Sequence, residues 1–469
     1  MTAPGERAAE DTAGRVAPSD APQAAALQRA ATSAPTRVRH WVVAMLFLAT
    51  TVNYADRATL SIAGSSLSAD LRLDPVAMGY VFSAFGWAYV AGQLPGGWLL
   101  DRFGSSRVYR ASLIAWSVVT FLQGFVGWLH PASAVAALFA LRLLLGVAES
   151  PSLPGNGRIV AAWFPDAERG TASAIFNSAQ YFALVLFSPI MGWITHAFGW
   201  QYVFFVMGGA GILLTLVIQR FLHGPNEDPR VNAAELAHIE RGGALVHLDR
   251  GRRAAAVPGA GPTWRQLKAL LSSRMLIGVY LGQYCITTLT YFFLTWFPVY
   301  LVEARGMSIL KVGFVATLPA LCGFFGGVLG GVFSDALFRR GHSLTFARKT
   351  PIVVGMLLST SMIACNYVAA EWAVVVIMAL AFFGKGIGAL GWAVVSDTSP
   401  RQIAGLSGGL FNMFGNTAAI TTPIVIGYLV KGSGNFDGAL VFVGANAVAA
   451  ILAYLLVVGE IRRLELPKD

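Results

Sequence analysis

The sequence predicts an all-α membrane protein, with twelve transmembrane helices arranged as two pseudo-repeated six-helix bundles. Three observations predict it. Only 12% of the 469 residues are Asp, Glu, Lys or Arg and 55% are hydrophobic, whereas a soluble domain carries about a quarter charged residues. The apolar residues gather into runs of the roughly 20 residues that a spanning helix needs. The chain also repeats itself. Gly79, Gly92, Gly96, Gly97 and Asp101 recur 234 positions later as Gly313, Gly326, Gly330, Gly331 and Asp335, and Phe176-Asn177 recurs 235 positions later as Phe411-Asn412. Two halves with their helices in the same order are the pattern of a transporter built from parallel repeats.

In chain order, residues 1–36 are rich in Ala, Pro, Thr and Ser and lack a signal-peptide core. They predict a disordered cytosolic tail. Spans near 41–63, 77–99, 108–129, 132–152, 170–197 and 200–222 make an N-terminal bundle over 37–222. Residues 223–273 read as a polar cytosolic linker with one short amphipathic helix at "NAAELAHIERGGALV". Spans near 275–302, 309–333, 350–369, 372–396, 404–430 and 437–459 make a C-terminal bundle over 274–460, and 461–469 form a second cytosolic tail.

The net charge of +10 does not point to nucleic acid, because the basic residues lie in loops between apolar spans. One side collects Arg37, Arg39, Arg102, Arg107, Arg169, Arg339, Arg348 and the linker, and the other holds Arg72, Arg305, Lys311 and Lys431. By the positive-inside rule the first side is cytoplasmic, with both termini inside. Cys285, Cys322 and Cys365 sit within apolar spans at no metal-binding spacing and read as packing residues. No nucleophile–base or metal constellation suggests an enzyme.

Charge inside the spans carries the functional signal. "NYADRATLSIA" places Asp56 and Arg57 side by side in the first span, and "RLLLGVAES" places Arg142 and Glu149 in the fourth. Seven residues are about 10 Å along a helix, close to two turns, so Arg142 and Glu149 share a face. A static interhelical salt bridge would explain them blandly. A switchable network of two acids and two bases on neighbouring helices explains all four, since intramembrane ionisable groups are functional candidates by default. "AFFGKGIGALGWAVVSD" puts Lys385 halfway across the tenth span. There an ammonium cannot easily snorkel to the headgroups, which favours an anion ligand over a structural lysine.

"GGWLLDRFGSSR" resembles the loop signature of the major facilitator superfamily, with "GGVFSDALFRR" as its degenerate partner. Gly97, Asp101, Arg102 and Asp335 then belong to a gating motif, Asp101 accepting hydrogen bonds from a helix N-terminus across the loop. "GYVFSAFGWAYVAGQLPGGWLLDRFGS", "RIVAAWFPDAERGTASAIFNSAQYF", "FFLTWFPVYLVEARGMSILKVG" and "SLTFARKTPIVVGMLLS" resemble the anion:cation symporter branch, and most of all its bacterial glucarate/galactarate carriers, over about residues 38–466. The resemblance implies the major facilitator fold in a bacterial inner membrane, a monomer, and protons as coupling ion with no cofactor. It implies proton sites at Asp56 and Glu149 with Arg142 as ion-pair partner, and Arg57 against a substrate carboxylate. Tyr54, Tyr89, Gln180, Trp392 and Asn412 would line the cavity. The chain departs from the carriers at "ESPSLPGNGR" and at Ala393, where they carry proline.

With these residues, the resemblance implies a proton-coupled importer of a small organic anion, a hexarate dicarboxylate such as D-glucarate or galactarate. A carrier of a monocarboxylate aldonate is the alternative. A drug/proton antiporter would not need two cationic ligands. A non-transporting membrane sensor would need an output domain, for which only a short tail and a linker are available.

Overall fold

The structure, a computed structural model, describes residues 34–251, 264–400 and 403–465. The predicted tail over 1–36 therefore lies outside the described residues up to residue 33. Its last residues are ordered, since Thr36 donates to Glu235 at 2.6 Å and the Ala34 carbonyl accepts from Asn232 at 2.8 Å.

The N-terminal half comprises α1 (Val38–Asp70), α2 (Pro75–Phe103), α3 (Ser105–Gln123), α4 (Pro131–Glu149), α5 (Ser152–Trp163), α6 (Asp166–Phe198) and α7 (Trp200–Phe221). Helix α2 begins where Asp74 accepts from the Ala77 amide at 2.7 Å, with Pro75 at the first helical position. It ends at Gly104, whose φ of 88° turns the chain into α3. The linker holds α8 (Ala233–Arg241), where the amphipathic helix was expected, and α9 (Trp264–Ser272).

The C-terminal half comprises α10 (Arg274–Tyr291), α11 (Phe297–Glu303), α12 (Ile309–Val315), α13 (Thr317–Arg339), α14 (Leu344–Ser359), α15 (Glu371–Ile387), α16 (Gly391–Thr398), α17 (Ala404–Asn416), α18 (Ala418–Ser433) and α19 (Asp437–Leu452). A π-turn at Phe292–Trp296 joins α10 to α11, next to Pro298, which has no amide proton to donate.

Among the described residues, ten helical segments are long and apolar enough to cross a membrane by length and composition. Helices α1 and α2, of 33 and 29 residues, hold the first two predicted positions and have the length, about 1.5 Å per residue. Composition does not single them out, because α1 carries Asn53, Asp56 and Arg57 on buried positions and α2 is rich in glycine.

Residues 223–249 are not a loose linker. Three helices of the N-terminal half start on one face, and none has a capping side chain of its own. The linker caps all three. Glu235 of α8 accepts from the amides of Val38 and Arg39 at 2.8 and 3.1 Å, Asp249 from the Ser105 amide at 2.8 Å, and the Gly242 carbonyl from the Asp166 amide at 2.8 Å. Free N–H groups at a helix start need partners, and a carboxylate there also meets the positive end of the helix dipole. Glu235 has a fully buried side chain and also pairs with Arg39, which reaches Glu168 at 2.9 Å.

The two halves meet along a seam on the opposite face. Helix α18 runs along α2, and α6 along α12 and α13. Each side lets the other's backbone in: a Cβ on Gly79 would lie 2.6 Å from the Pro423 carbonyl oxygen, on Gly427 2.5 Å from that of Pro75, and on Gly313 2.8 Å from that of Ser188. Polar links tie the same seam. Lys431 pairs with Asp74 at 2.7 Å, Ser61 donates to the Thr295 carbonyl at 2.8 Å, and the Tyr80 and Tyr428 hydroxyls lie 3.5 Å apart. These contacts run from the far face to mid-depth, whereas Leu94, Trp98 and Trp392, nearer the linker face, are exposed.

Candidate functional site

The four charged residues of α1 and α4 converge at mid-depth. Asn53, Asp56 and Arg57 fall on buried positions of α1, one turn apart. Arg57 donates from Nε to Glu149 Oε2 at 2.8 Å, both side chains being buried. Its guanidinium lies 4.8–4.9 Å from the ring centroids of Tyr54, Phe85 and Tyr89. Arg142 is buried with its guanidinium 5.6 Å from the Phe85 ring centroid, so both arginines lie against one ring. Aromatic faces can hold guanidinium groups without neutralising them.

Glu149 thus takes Arg57 of the neighbouring helix as its direct partner. Arg142, about 10 Å away along the same helix, influences it electrostatically. Among the described residues, several polar atoms here are buried without hydrogen-bond partners: both Asp56 carboxylate oxygens, Arg142 Nε and Nη1, and Glu149 Oε1. Asp56 lies within electrostatic range of Glu149 and Arg142. Such groups carry a large desolvation penalty unless something else satisfies them.

Lys385 lies on α15 in the other half, buried, with its ammonium 5.1 Å from the Phe382 ring centroid. No carboxylate pairs with it among the described residues. The glycines around it set the depth of α15. A Cβ on Gly386 would come 2.3 Å from the Gly323 carbonyl oxygen, and one on Gly384 2.4 Å from that of Gly355, so only glycine lets α13 and α14 approach so closely.

Asn412 donates to Gln93 Oε1 at 2.9 Å, joining α17 to α2. Asn416 donates to Asn412 Oδ1 at 3.0 Å, and Tyr291 donates to Asn416 Oδ1 at 3.1 Å. Tyr291 lies within electrostatic range of Arg57. Tyr54 and Tyr89 face the Arg57 guanidinium, and Asn412 sits in a polar chain that runs from Gln93 to Tyr291. Gln180 donates to the Asn177 carbonyl of its own helix at 3.1 Å, outside that cluster. Trp392 is exposed with its ring 4.9 Å from that of Phe411.

The gating residues lie on the linker face. Asp101 pairs with Arg158 at 2.5 Å, and Asp249 caps the N-terminus of α3. Arg158 also reaches Ser105 Oγ at 2.9 Å and Asp249 at 3.3 Å. Gly97 faces open space, and the close approaches belong to Gly92 and Gly96, against Ser150 and Pro151. Arg102 lies over Trp98 and Phe103. In the second half Asp335 pairs with Arg348 at 3.4 Å, which also holds Asp397 at 2.8 Å. Among the described residues, no group of three His, Cys, Asp or Glu could hold a metal ion.

Sequence reasoning did not single out Phe85, Gln93, Tyr291 or Asn416. The available signal was the four-residue spacing of Phe85, Tyr89 and Gln93, and of Asn412 and Asn416, which puts each set on one helical face. Arg158 and Asp249 carried no local signal, because their partners lie 57 and 144 residues away.

Residues 46–348 match the family described as Major Facilitator Superfamily. A Bacillus subtilis (strain 168) protein named "Probable galactarate/D-glucarate transporter GudP" is 66% identical over 92% of this chain and 95% of its own length. The Escherichia coli (strain K12) protein of the same name is 63% identical over 92% of this chain and 96% of its own. Among solved structures, a bacterial homologue of the human lysosomal transporter Spinster, in an inward-facing and occupied conformation, superposes with a TM-score of 0.69 at 16% identity. That match covers 89% of this chain and 96% of the other. The chain is a membrane protein of the major facilitator superfamily.

Proposed function

We propose that this protein is a proton-coupled importer of sugar-acid dianions, galactarate or D-glucarate, working by alternating access. It acts as a monomer in the inner membrane of a bacterium, with the linker face and both termini cytoplasmic, and uses no cofactor besides the proton. The names of its relatives at 66% and 63% identity support the substrate class. The observation that carries the mechanism is the buried Arg57–Glu149 pair in one half and, in the other, a buried Lys385 without a carboxylate partner among the described residues.

Charge balance supports the coupling. Arg57, Arg142 and Lys385 supply three positive charges against the two of Asp56 and Glu149. A dianion entering with both carboxylates ionised would leave one negative charge in excess, which is unfavourable at low dielectric. One proton restores neutrality. Protonation of Glu149 weakens its bond to Arg57 and turns the guanidinium toward a substrate carboxylate, and Lys385 takes the other carboxylate across the cavity. Asp56 and Arg142, within electrostatic range of one another without a direct hydrogen bond, would serve as a second acid–base couple beside Phe85. When the substrate leaves toward the linker face, Glu149 releases its proton and pairs again with Arg57. The packed far face corresponds to the inward-facing stage of this cycle.

Uptake of labelled galactarate into proteoliposomes tests the reading. Unlabelled D-glucarate should compete strongly and galactonate, with one carboxylate, weakly. Equal competition by galactonate would favour a monocarboxylate carrier, and no uptake of any sugar acid would reject the proposal.

A further inference from the structure

We propose that Gln93 reads a hydroxyl group of the substrate at the point where the two halves part. The inference rests on the polyhydroxy-acid reading above and adds a residue to it. Gln93 lies on α2 one turn beyond Tyr89, whose ring faces Arg57 at 4.8 Å, and Phe85 lies one turn before. Side chains four apart share a helical face, so Gln93 continues the stripe that holds the arginine.

The polarity of the hydrogen-bond chain decides what Gln93 can offer. Asn416 Nδ2 donates to the Asn412 carbonyl at 2.9 Å and to Asn412 Oδ1 at 3.0 Å. That fixes the Asn412 amide with its nitrogen toward α2, where it donates to Gln93 Oε1 at 2.9 Å. The Tyr291 hydroxyl donates to Asn416 Oδ1 at 3.1 Å, which sets the same direction at the other end. Each member is therefore held in one orientation by the previous one. The last donor, Gln93 Nε2, is buried and has no hydrogen-bond partner among the described residues. An amide donor left in that state is destabilising, and a hydroxyl oxygen brought to it would relieve the penalty.

The position in the fold makes this donor informative. The α2–α18 seam is closed by Gly79 against Pro423 and by Gly86, whose Cβ would meet Ala419 at 2.7 Å. The Gln93–Asn412 bond continues that line toward the linker face, and Leu94, the next residue, is exposed. A polyol held between Arg57 and Lys385 would thus present its middle carbons to a residue that also ties one half to the other. A site built to bond a hydroxyl discriminates against an analogue lacking it, because the buried donor is then left unpaired.

The test compares galactarate with adipate, the six-carbon dicarboxylate that lacks hydroxyls, as competitors of labelled galactarate uptake by the full-length chain in proteoliposomes. In Gln93→Met, of similar volume, the preference for galactarate over adipate should fall about tenfold while adipate itself competes as well as before. Loss of affinity for both by the same factor would mean that Gln93 only braces the seam, and an unchanged ratio with unchanged affinities would mean it does neither; each overturns the proposal. Should Gln93→Met not assemble, Gln93→Asn, which withdraws the amide by one carbon, gives the same ratio to read. Failure of the wild-type protein to bind galactarate would instead reject the substrate reading itself.

Discussion

Lys385 is the residue on which the choice between two sugar-acid classes turns. It is buried, its ammonium faces the ring of Phe382, and no carboxylate pairs with it among the described residues. A dicarboxylate can supply the counter-charge and an aldonate cannot. Lys385→Asn should weaken hexarate transport by about 2–4 kcal/mol, the scale of a lost buried charge contact, and should narrow or reverse the preference over galactonate. An unchanged hexarate-to-galactonate ratio in competition assays would make the lysine structural. Lys385 and the Asp56-Arg57 pair were legible in the sequence because a charge inside an apolar span has few reasons to be there. The partner of Glu149 was not legible. It depends on which faces α1 and α4 turn to one another, and that azimuth is set by packing far along the chain. Gln93 was less legible still, since a neutral amide in a span draws no such attention.

At the scale of elements, the linker behaves as part of the N-terminal half. Glu235 is central: burial acts to raise its pKa, but hydrogen bonds from Thr36, the amides of Val38 and Arg39, and the Arg39 side chain hold it below the ordinary glutamate value. A carboxylate with a depressed folded pKa stabilises the fold above its unfolded value, near 4.3. That contribution is lost as pH falls through the lower folded value. Glu235→Ala should lower stability by about 2 kcal/mol through loss of the α1 cap, seen as a lower thermal midpoint in detergent at pH 7. The difference from wild type should shrink as the pH drops below about 4. An Ala variant with the wild-type midpoint at pH 7 would contradict the capping role. The sequence predicted α8 from its amphipathic pattern. It did not reveal that α8 and Asp249 close the starts of α1 and α3, because a cap supplied from 144 or more residues away leaves no local pattern.

At the scale of the molecule, the two halves are joined by a seam of glycines and, among the described residues, four side-chain hydrogen bonds on and below the far face. The internal repeat at offsets of 234 and 235 announced the halves, and Gly79 and Gly313, equivalent by that repeat, both serve the seam. Alternating access requires this seam to open. Tyr80 and Tyr428, with ring centroids 6.5 Å apart, give a handle on it. Cysteines at both positions should be joined by a short bis-methanethiosulfonate cross-linker, which should arrest uptake until it is released by reduction. Continued transport with the cross-link complete would mean that the far face does not open during the cycle. The claim that organises the whole account is that Glu149 exchanges a proton for its bond to Arg57, and it is tested most directly by galactarate accumulation in proteoliposomes under an imposed pH gradient, outside acid. Wild-type protein should concentrate galactarate and lose the gain with a protonophore, whereas Glu149→Gln should equilibrate galactarate across the membrane without concentrating it. Accumulation by Glu149→Gln equal to that of wild type, still abolished by the protonophore, would contradict the account.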